Sequence, residues 1–196
     1  SIEERLMRKG LEPRHYGNIL WLDDAVKALM DKLRDEGIDD TTLIFFCSDH
    51  GMEAKGTVYD GGAHTCALMW RKGGFPVGQR LEACTQDVDW TPTALHCAGA
   101  DLEGIDGKSL VPVLTGEKDE VRDSVYLEMG FTRGVIKDGW KYIAVRYPEQ
   151  IENMPLEQRK KNLERMNSNL RKRGIPLYNT DPTKPFGHCT LTPGGT

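Results

Sequence analysis

Two short polar segments carry the side chains best suited to chemistry in this 196-residue sequence. Asp49 and His50 place a carboxylate beside an imidazole, and both groups can face one divalent cation. Lys55 follows in a glycine-rich segment that ends at His64, and its ammonium could bind a tetrahedral oxyanion near that cation. Taken alone, each segment is more simply explained as a solvated polar turn, because short motifs often match by chance.

The elements around these residues indicate an α/β arrangement. Apolar residues recur in steps of three and four from Tyr16 to Leu33, which predicts an amphipathic helix ending near Gly37. The β-branched and aromatic run 41–47 predicts a strand buried on both faces, as in parallel α/β sheets. Ligands gather at the carboxyl edge of such sheets, and Asp49 and His50 follow the strand directly.

The rest of the chain predicts an α/β class with two parts. Residues 1–119 are expected to form a mostly parallel central sheet with flanking helices, with further strands at 63–70 and 81–86 and a helix starting at 89. Residues 120–196 are expected to form a small antiparallel subdomain with strands near 125–127 and 143–147, a polar helix over 155–173 and an extended tail.

Composition excludes several classes of protein. The formal net charge is −4, which disfavours nucleic-acid binding, and no apolar run reaches the ~20 residues of a membrane helix. The five cysteines form no C-x-x-C pair, so a zinc site is not expected. Cys47, Cys66 and Cys97 lie among apolar residues and are predicted to be small buried side chains.

Five blocks follow one another in a specific order between residues 16 and 147. They are the helix with Asp23-Asp24 leading to the segment 42–51, then the segments 55–62, 87–93, 106–116 and 138–143. In this order and spacing they resemble the sulfatases, a family of the alkaline-phosphatase superfamily. The resemblance implies hydrolysis of sulfate monoesters.

The resemblance also implies residue roles. Asp49 matches a carboxylate that binds the active-site cation, usually calcium, and Lys55 matches the lysine that contacts the sulfate group. His50 stands where sulfatases commonly have Asn, and an imidazole suits manganese, zinc or iron better than calcium. His64 stands where many sulfatases have Arg. It would line the substrate cleft, act as a third metal ligand, or be an ordinary histidine at a strand start.

The formylglycine motif of sulfatases, Cys/Ser-x-Pro/Ala-x-Arg, does not occur in this sequence. The resemblance therefore predicts the C-terminal portion of a sulfatase, whose nucleophile and further metal ligands come from a missing N-terminal portion. This chain alone is expected to be inactive. A periplasmic, extracellular or lysosome-like compartment would fit the resemblance, although the first ten residues lack the apolar core of a signal peptide.

Two alternatives stay open from the sequence. His50 and His64 would also suit a hydrolase of phosphoryl or phosphonyl esters in the same superfamily. The lack of a nucleophile would also suit a binding fragment without catalysis. The expected partner is a sulfate ester, and the basic runs 159–161 and 171–173 add a sulfated glycan as a candidate, although a solvated helix face explains them more simply.

Overall fold

The computed structural model describes residues 1–51, 54–177 and 180–183. Its helices, within those residues, are α1 (Ile2–Met7), α2 (Pro13–Asp35), α3 (Asp60–Ala63), α4 (Trp90–Cys97), α5 (Val111–Leu114), α6 (Glu149–Glu152) and α7 (Leu156–Lys172). Its strands are β1 (Leu43–Cys47), β2 (Ala67–Arg71), β3 (Ser124–Met129), β4 (Thr132–Lys137) and β5 (Trp140–Val145). The predicted tail lies mostly outside the described residues.

The first of two compact units comprises Ser1–Phe45 and Met69–Gln79. Ser1 and Glu4 form a reciprocal capping box at the start of α1, and Arg5 donates a 2.5 Å hydrogen bond to Asp24 on α2. The predicted helix is confirmed as α2, which ends at Asp35. Gly37 follows with φ +67°, a left-handed conformation that glycine adopts without steric cost.

The second unit comprises Phe46–Leu68 and Arg80–Thr196. It contains an antiparallel sheet in the order β3-β4-β5, with register partners Tyr126↔Val135 and Val135↔Tyr142. The strands predicted near 125–127 and 143–147 are thereby confirmed as antiparallel neighbours, and the polar helix is confirmed as α7. The central strand, β4, was not predicted, because Gly134 and Arg133 weaken its apolar pattern.

A buried polar network fixes the start of α4. Asp89 is fully buried, and its carboxylate accepts bonds from the backbone N–H groups of Gln86 and Lys108, at 2.8 and 2.9 Å, and from the Arg122 guanidinium. Thr93 donates to the Asp89 carbonyl and accepts from the Leu110 N–H at 2.8 Å. The segment 87–93, which the sequence assigned only by resemblance, therefore holds three stretches of chain together.

The structure corrects three local expectations. β1 is half-buried rather than buried on both faces, and it pairs with β2 alone among the described residues. Cys47 and Cys66 are exposed at the end of that sheet, and Cys97 is only partly buried. Residues 81–86 form no strand; Leu81 and Glu82 are exposed there, and Glu82 pairs with Arg80 at the surface.

The β1-β2 pair and the separate β3-β4-β5 sheet are consistent with an α/β fold, while a mostly parallel central sheet stays a prediction. The boundary predicted between residues 119 and 120 is likewise still a prediction. Within the described residues, none of the helices combines the length and apolar character needed to cross a bilayer.

Candidate functional site

Asp49, His50 and Lys55 come together just after β1. The distance from Asp49 Oδ1 to His50 Nε2 is 3.6 Å, and that from Asp49 Oδ2 to Lys55 Nζ is 3.8 Å. The Asp49 carboxylate thus lies between the His50 imidazole and the Lys55 ammonium, with one oxygen facing each. Asp49 and Lys55 are largely exposed, with 81% and 70% of their side chains accessible, so the charges are open to a ligand from solvent.

The proton position on His50 follows from its neighbour. His50 Nδ1 lies 2.5 Å from the Gly51 carbonyl oxygen, which can only accept a hydrogen bond. In the neutral ring the proton is therefore on Nδ1, which leaves the lone pair of Nε2 available to a metal ion. Two ligand atoms about 2.1–2.4 Å from one cation lie about 3.0–3.9 Å apart, so the 3.6 Å separation suits shared coordination.

Asp49 and His50 are the two side chains of this cluster that could hold a metal ion. Within residues 1–51, 54–177 and 180–183, no three His, Cys, Asp or Glu side chains converge in a geometry for a metal ion. Asp49 and His50 therefore fit part of a coordination shell. A calcium ion takes six to eight oxygen ligands, and further ligands would have to come from elsewhere.

Close backbone packing joins the turn after β1 to the glycine-rich segment. The N–H of Gly51 donates to the Gly62 carbonyl at 2.9 Å, and the N–H of Ala54 donates to the Gly61 carbonyl at 3.0 Å. A Cβ on Gly51 would lie 2.4 Å from the Gly61 carbonyl oxygen, and one on Gly62 would lie 2.2 Å from that of Ala54. Both positions therefore require glycine.

His64 is not at the start of a strand. Its backbone N–H donates to the Asp60 carbonyl at 2.9 Å and ends α3, and β2 begins three residues later. The side chain is exposed, and its charge helps to lower the pKa of Asp60. The cleft and metal roles considered for His64 stay predictions.

Sequence reasoning missed a lysine that reaches this segment from the antiparallel sheet. Lys141, on β5, donates to the Asp60 carboxylate and, at 3.2 Å, to the Val58 carbonyl. The hydrogen bond from Lys141 is the main cause that holds the pKa of Asp60 below its ordinary value of 3.8. Lys141 lies in the segment 138–143 of the resemblance, but only the tertiary structure shows its partner.

The chain is similar in sequence to known sulfatases. Residues 12–100 match the model of the sulfatase family. A choline-sulfatase from Rhizobium meliloti is 34% identical over 164 residues, covering 73% of this chain and 31% of that protein. Human arylsulfatase A is 32% identical over 126 residues, covering 56% and 25% respectively. An ulvan-active sulfatase from Formosa agariphila is 30% identical over 160 residues, covering 74% and 26%.

A solved structure supports the fold. BT4656, in complex with its substrate D-glucosamine-2-N,6-O-disulfate, superimposes with a TM-score of 0.57 over 85% of this chain and 40% of that chain, at 21% identity. Together with the sequence matches, this supports an α/β, sulfatase-like fold for the chain. Residues 12–100 belong to the sulfatase family, whose members are sulfuric ester hydrolases. The chain spans between 25% and 31% of the length of the three sulfatases named above.

Proposed function

We propose that this chain supplies the cation-binding and sulfate-binding side chains of a sulfatase that hydrolyses sulfate monoesters. The observation that carries the proposal is the convergence of Asp49, His50 and Lys55, with the Asp49 carboxylate 3.6 Å from the imidazole and 3.8 Å from the ammonium. In this arrangement Asp49 and His50 would bind a divalent cation, and the positive charge of Lys55 would bind an anionic ester. The sulfatase family match is independent support.

Each side chain has a defined task in this proposal. Asp49 and His50 would hold a divalent cation, which when bound polarises the sulfate oxygens. Lys55 would bind a sulfate oxygen and stabilise the negative charge that develops on the sulfuryl group. Because Lys55 lies on the same compact segment that packs against Gly51, its ammonium is held near the cation ligands rather than free in a long loop.

Calcium is the proposed cation, because the family resemblance implies it. Manganese and zinc are the second candidates, because His50 contributes a nitrogen ligand. A titration of the protein with calcium, manganese and zinc, followed by calorimetry, would rank them. His50→Asn should strengthen calcium relative to manganese, since it replaces the nitrogen with an amide oxygen. An unchanged ranking in the variant would exclude His50 as a ligand.

The proposed nucleophile is a formylglycine on a residue outside these 196. No cysteine or serine of the sequence begins the Cys/Ser-x-Pro/Ala-x-Arg motif, and the chain covers a third or less of the sulfatases compared above. Covalent catalysis needs such a nucleophile. We therefore expect the 196-residue chain by itself to show no sulfatase turnover, and the longer protein that contains it to be active.

The substrate proposed is a sulfate monoester, with a sulfated sugar as the more specific candidate. The structural neighbour is bound to a disulfated glucosamine, and one relative acts on ulvan, whereas another is a choline-sulfatase. These substrates differ everywhere except at the sulfate group. The shared requirement is therefore a site for a sulfate ester, which Lys55 and the proposed cation would supply.

The test is an assay of the longer protein with an aryl sulfate and the matching aryl phosphate, with and without a chelator. We expect hydrolysis of the sulfate ester that is abolished by the chelator and by Asp49→Ala. Asp119→Ala is the control, because Asp119 is an exposed carboxylate outside the site. Preferential hydrolysis of the phosphate ester would replace the sulfatase proposal with the phosphatase alternative, and full activity of Asp49→Ala would exclude the assigned site.

A further inference from the structure

The segment that carries Lys55 is attached to the antiparallel sheet at one point. Val58 is almost fully buried, and Asp60 begins the short helix α3. The Lys141 ammonium donates one hydrogen bond to the Val58 carbonyl, at 3.2 Å, and another to the Asp60 carboxylate. Lys141 is 83 positions away from Val58 in sequence, so this contact closes a long stretch of chain.

Lys141 is positioned for this task by the register of the sheet. In β5 the side chains alternate, and Trp140 and Tyr142 are exposed on one face while Lys141 lies on the other, with 20% of its side chain accessible. The backbone pairing Ile136↔Lys141 fixes its height along the strand. The ammonium therefore reaches the segment from a rigid element rather than from a loop.

The segment itself transmits this restraint to the site. Thr57 is buried, and its hydroxyl donates to the Ala54 carbonyl at 2.8 Å, so the turn that contains Lys55 is closed on itself. The Ala54 N–H in turn donates to the Gly61 carbonyl at 3.0 Å, next to α3. A shift of Val58 and Asp60 would therefore displace the turn on which Lys55 is carried.

We propose that Lys141 is a positioning residue of the sulfate site, which holds the segment 54–63 through Asp60 and Val58 and thereby places the Lys55 ammonium beside Asp49. This inference rests on the proposed function for its catalytic consequence, although the restraint on the segment is independent of it. The hydrogen bonds of Lys141 within the described residues go to Val58 and Asp60 rather than to Asp49 or Lys55. Its effect on the position of Lys55 is therefore exerted through the segment 54–63. A displacement of about 1 Å at a catalytic group can lower turnover about 100-fold.

The matched comparison is between two lysines of the same sheet. Lys141→Met removes the contact with the segment. Lys137, on the neighbouring strand β4, forms an exposed 2.7 Å ion pair with Asp123, and Lys137→Met removes that pair. Lys141→Arg keeps the positive charge and should restore part of the function. In the longer protein we expect kcat for an aryl sulfate to fall about 10- to 100-fold in Lys141→Met, to be partly restored in Lys141→Arg and to be unchanged in Lys137→Met.

A second measurement does not depend on activity. Amide hydrogen exchange at Ala54 and Gly62, whose N–H groups donate to the Gly61 and Tyr59 carbonyls, reports directly on the segment. We expect faster exchange there in Lys141→Met, and wild-type exchange in Lys137→Met and in Lys55→Met. Unchanged exchange at these amides in Lys141→Met would overturn the inference.

The two measurements separate the inference from the proposed function. If the wild-type protein hydrolyses no sulfate ester, the proposed function fails, and the exchange rates still decide whether Lys141 holds the segment. If Lys55→Met abolishes turnover but Lys141→Met leaves kcat at the wild-type level, the proposed function stands and the positioning role is excluded. A drop in melting temperature without a change in kcat would likewise assign Lys141 a purely structural role.

Discussion

At the scale of single residues, the candidate site is a small set of charges around one carboxylate. Asp49 faces the His50 Nε2 with one oxygen and the Lys55 Nζ with the other. An ion pair this exposed contributes little to folding, typically below about 1 kcal/mol. The proposed role of the two charges is therefore in binding a cation and a sulfate group, not in stabilising the fold.

Lys55→Met is expected to separate function from stability. Removing one preorganised charge from a transition state costs about 3 kcal/mol, or ~100-fold in rate, whereas an exposed lysine changes the free energy of unfolding by at most about 0.5 kcal/mol. Turnover of an aryl sulfate by the longer protein and urea unfolding would be measured side by side. Lys27→Met, on the exposed side of α2, is the control and should retain full turnover.

Wild-type turnover in Lys55→Met would exclude the sulfate contact. A large loss of unfolding free energy in the same variant would instead show that Lys55 supports the glycine-rich segment. The structure argues against the second outcome, because 70% of the lysine side chain is accessible and its described ion pair, to Asp49, is long at 3.8 Å.

At the scale of elements, two buried or half-buried ionic contacts hold the pieces of the second unit in place. Arg122, on the approach to β3, joins the start of α4 through Asp89, and Lys141, on β5, joins the glycine-rich segment through Asp60. Asp89 is fully buried and 10% of the Arg122 side chain is accessible, whereas Asp60 is largely exposed. The two contacts should therefore respond differently to mutation.

Asp89→Ala is expected to lower the free energy of unfolding by about 3–5 kcal/mol, because it leaves the buried Arg122 charge without its carboxylate. It also removes the acceptor for the Gln86 and Lys108 N–H groups. Asp119→Ala, at an exposed position, should change the unfolding free energy by no more than about 0.5 kcal/mol. Equal urea midpoints for the two variants would contradict the structural role assigned to Asp89.

The Asp60–Lys141 contact predicts a defined pH dependence of stability. Hydrogen bonding from Lys141 lowers the pKa of folded Asp60 below its ordinary value of 3.8. The contact therefore stabilises the folded state above that pH, and the stabilisation is lost as the pH falls through the lowered pKa. Asp60→Asn should be less stable than wild type near neutral pH, and the difference should shrink progressively below pH 3.8.

The control for this pH profile is the same substitution made in the Lys141→Met background. Without the ammonium, Asp60→Asn should have a much smaller effect at neutral pH, and the pH dependence of the difference should flatten. Urea unfolding of the four proteins at a series of pH values gives the complete cycle. A pH profile of Asp60→Asn that is the same in both backgrounds would exclude Lys141 as the cause.

At the scale of the whole molecule, the apolar side chains that the sequence places on one face of α2 are mostly exposed. Within the described residues, no residue of this 23-residue helix is buried, and Ile19 and Leu29, which lie on that face, are 64% and 53% accessible. An exposed apolar surface of this extent marks a site of association. The periodicity predicted the helix correctly, but among the described residues its apolar face is not buried.

The 196-residue chain is therefore expected to self-associate. Sedimentation velocity should show an average mass above that of the 22.0 kDa chain, increasing with concentration. Ile19→Lys combined with Leu22→Lys should lower that mass, because it places two charges on the exposed face. Lys27→Gln, which also lies on α2, should not lower it. A concentration-independent monomer in the wild type would contradict the prediction.

The sequence by itself determined the local elements and the residue types of the candidate site. Periodicity located α2 and α7, the apolar run located β1, and the order of motifs indicated the sulfatase family that the comparisons confirm. These features are encoded within a few neighbouring residues, so they can be recognised without knowing how the chain folds. The roles of Asp49, His50, Lys55 and His64 were assigned by resemblance and stay predictions.

Only the tertiary structure decided which distant residues meet. The contacts of Arg122 with Asp89 and of Lys141 with Asp60 join positions 33 and 81 residues apart, and no local pattern encodes such a distance. Burial was decided in the same way, because Cys47 lies in an apolar run and yet ends exposed at the edge of a two-stranded sheet. Exposure and pairing depend on which elements pack together, and that is a property of the folded chain as a whole.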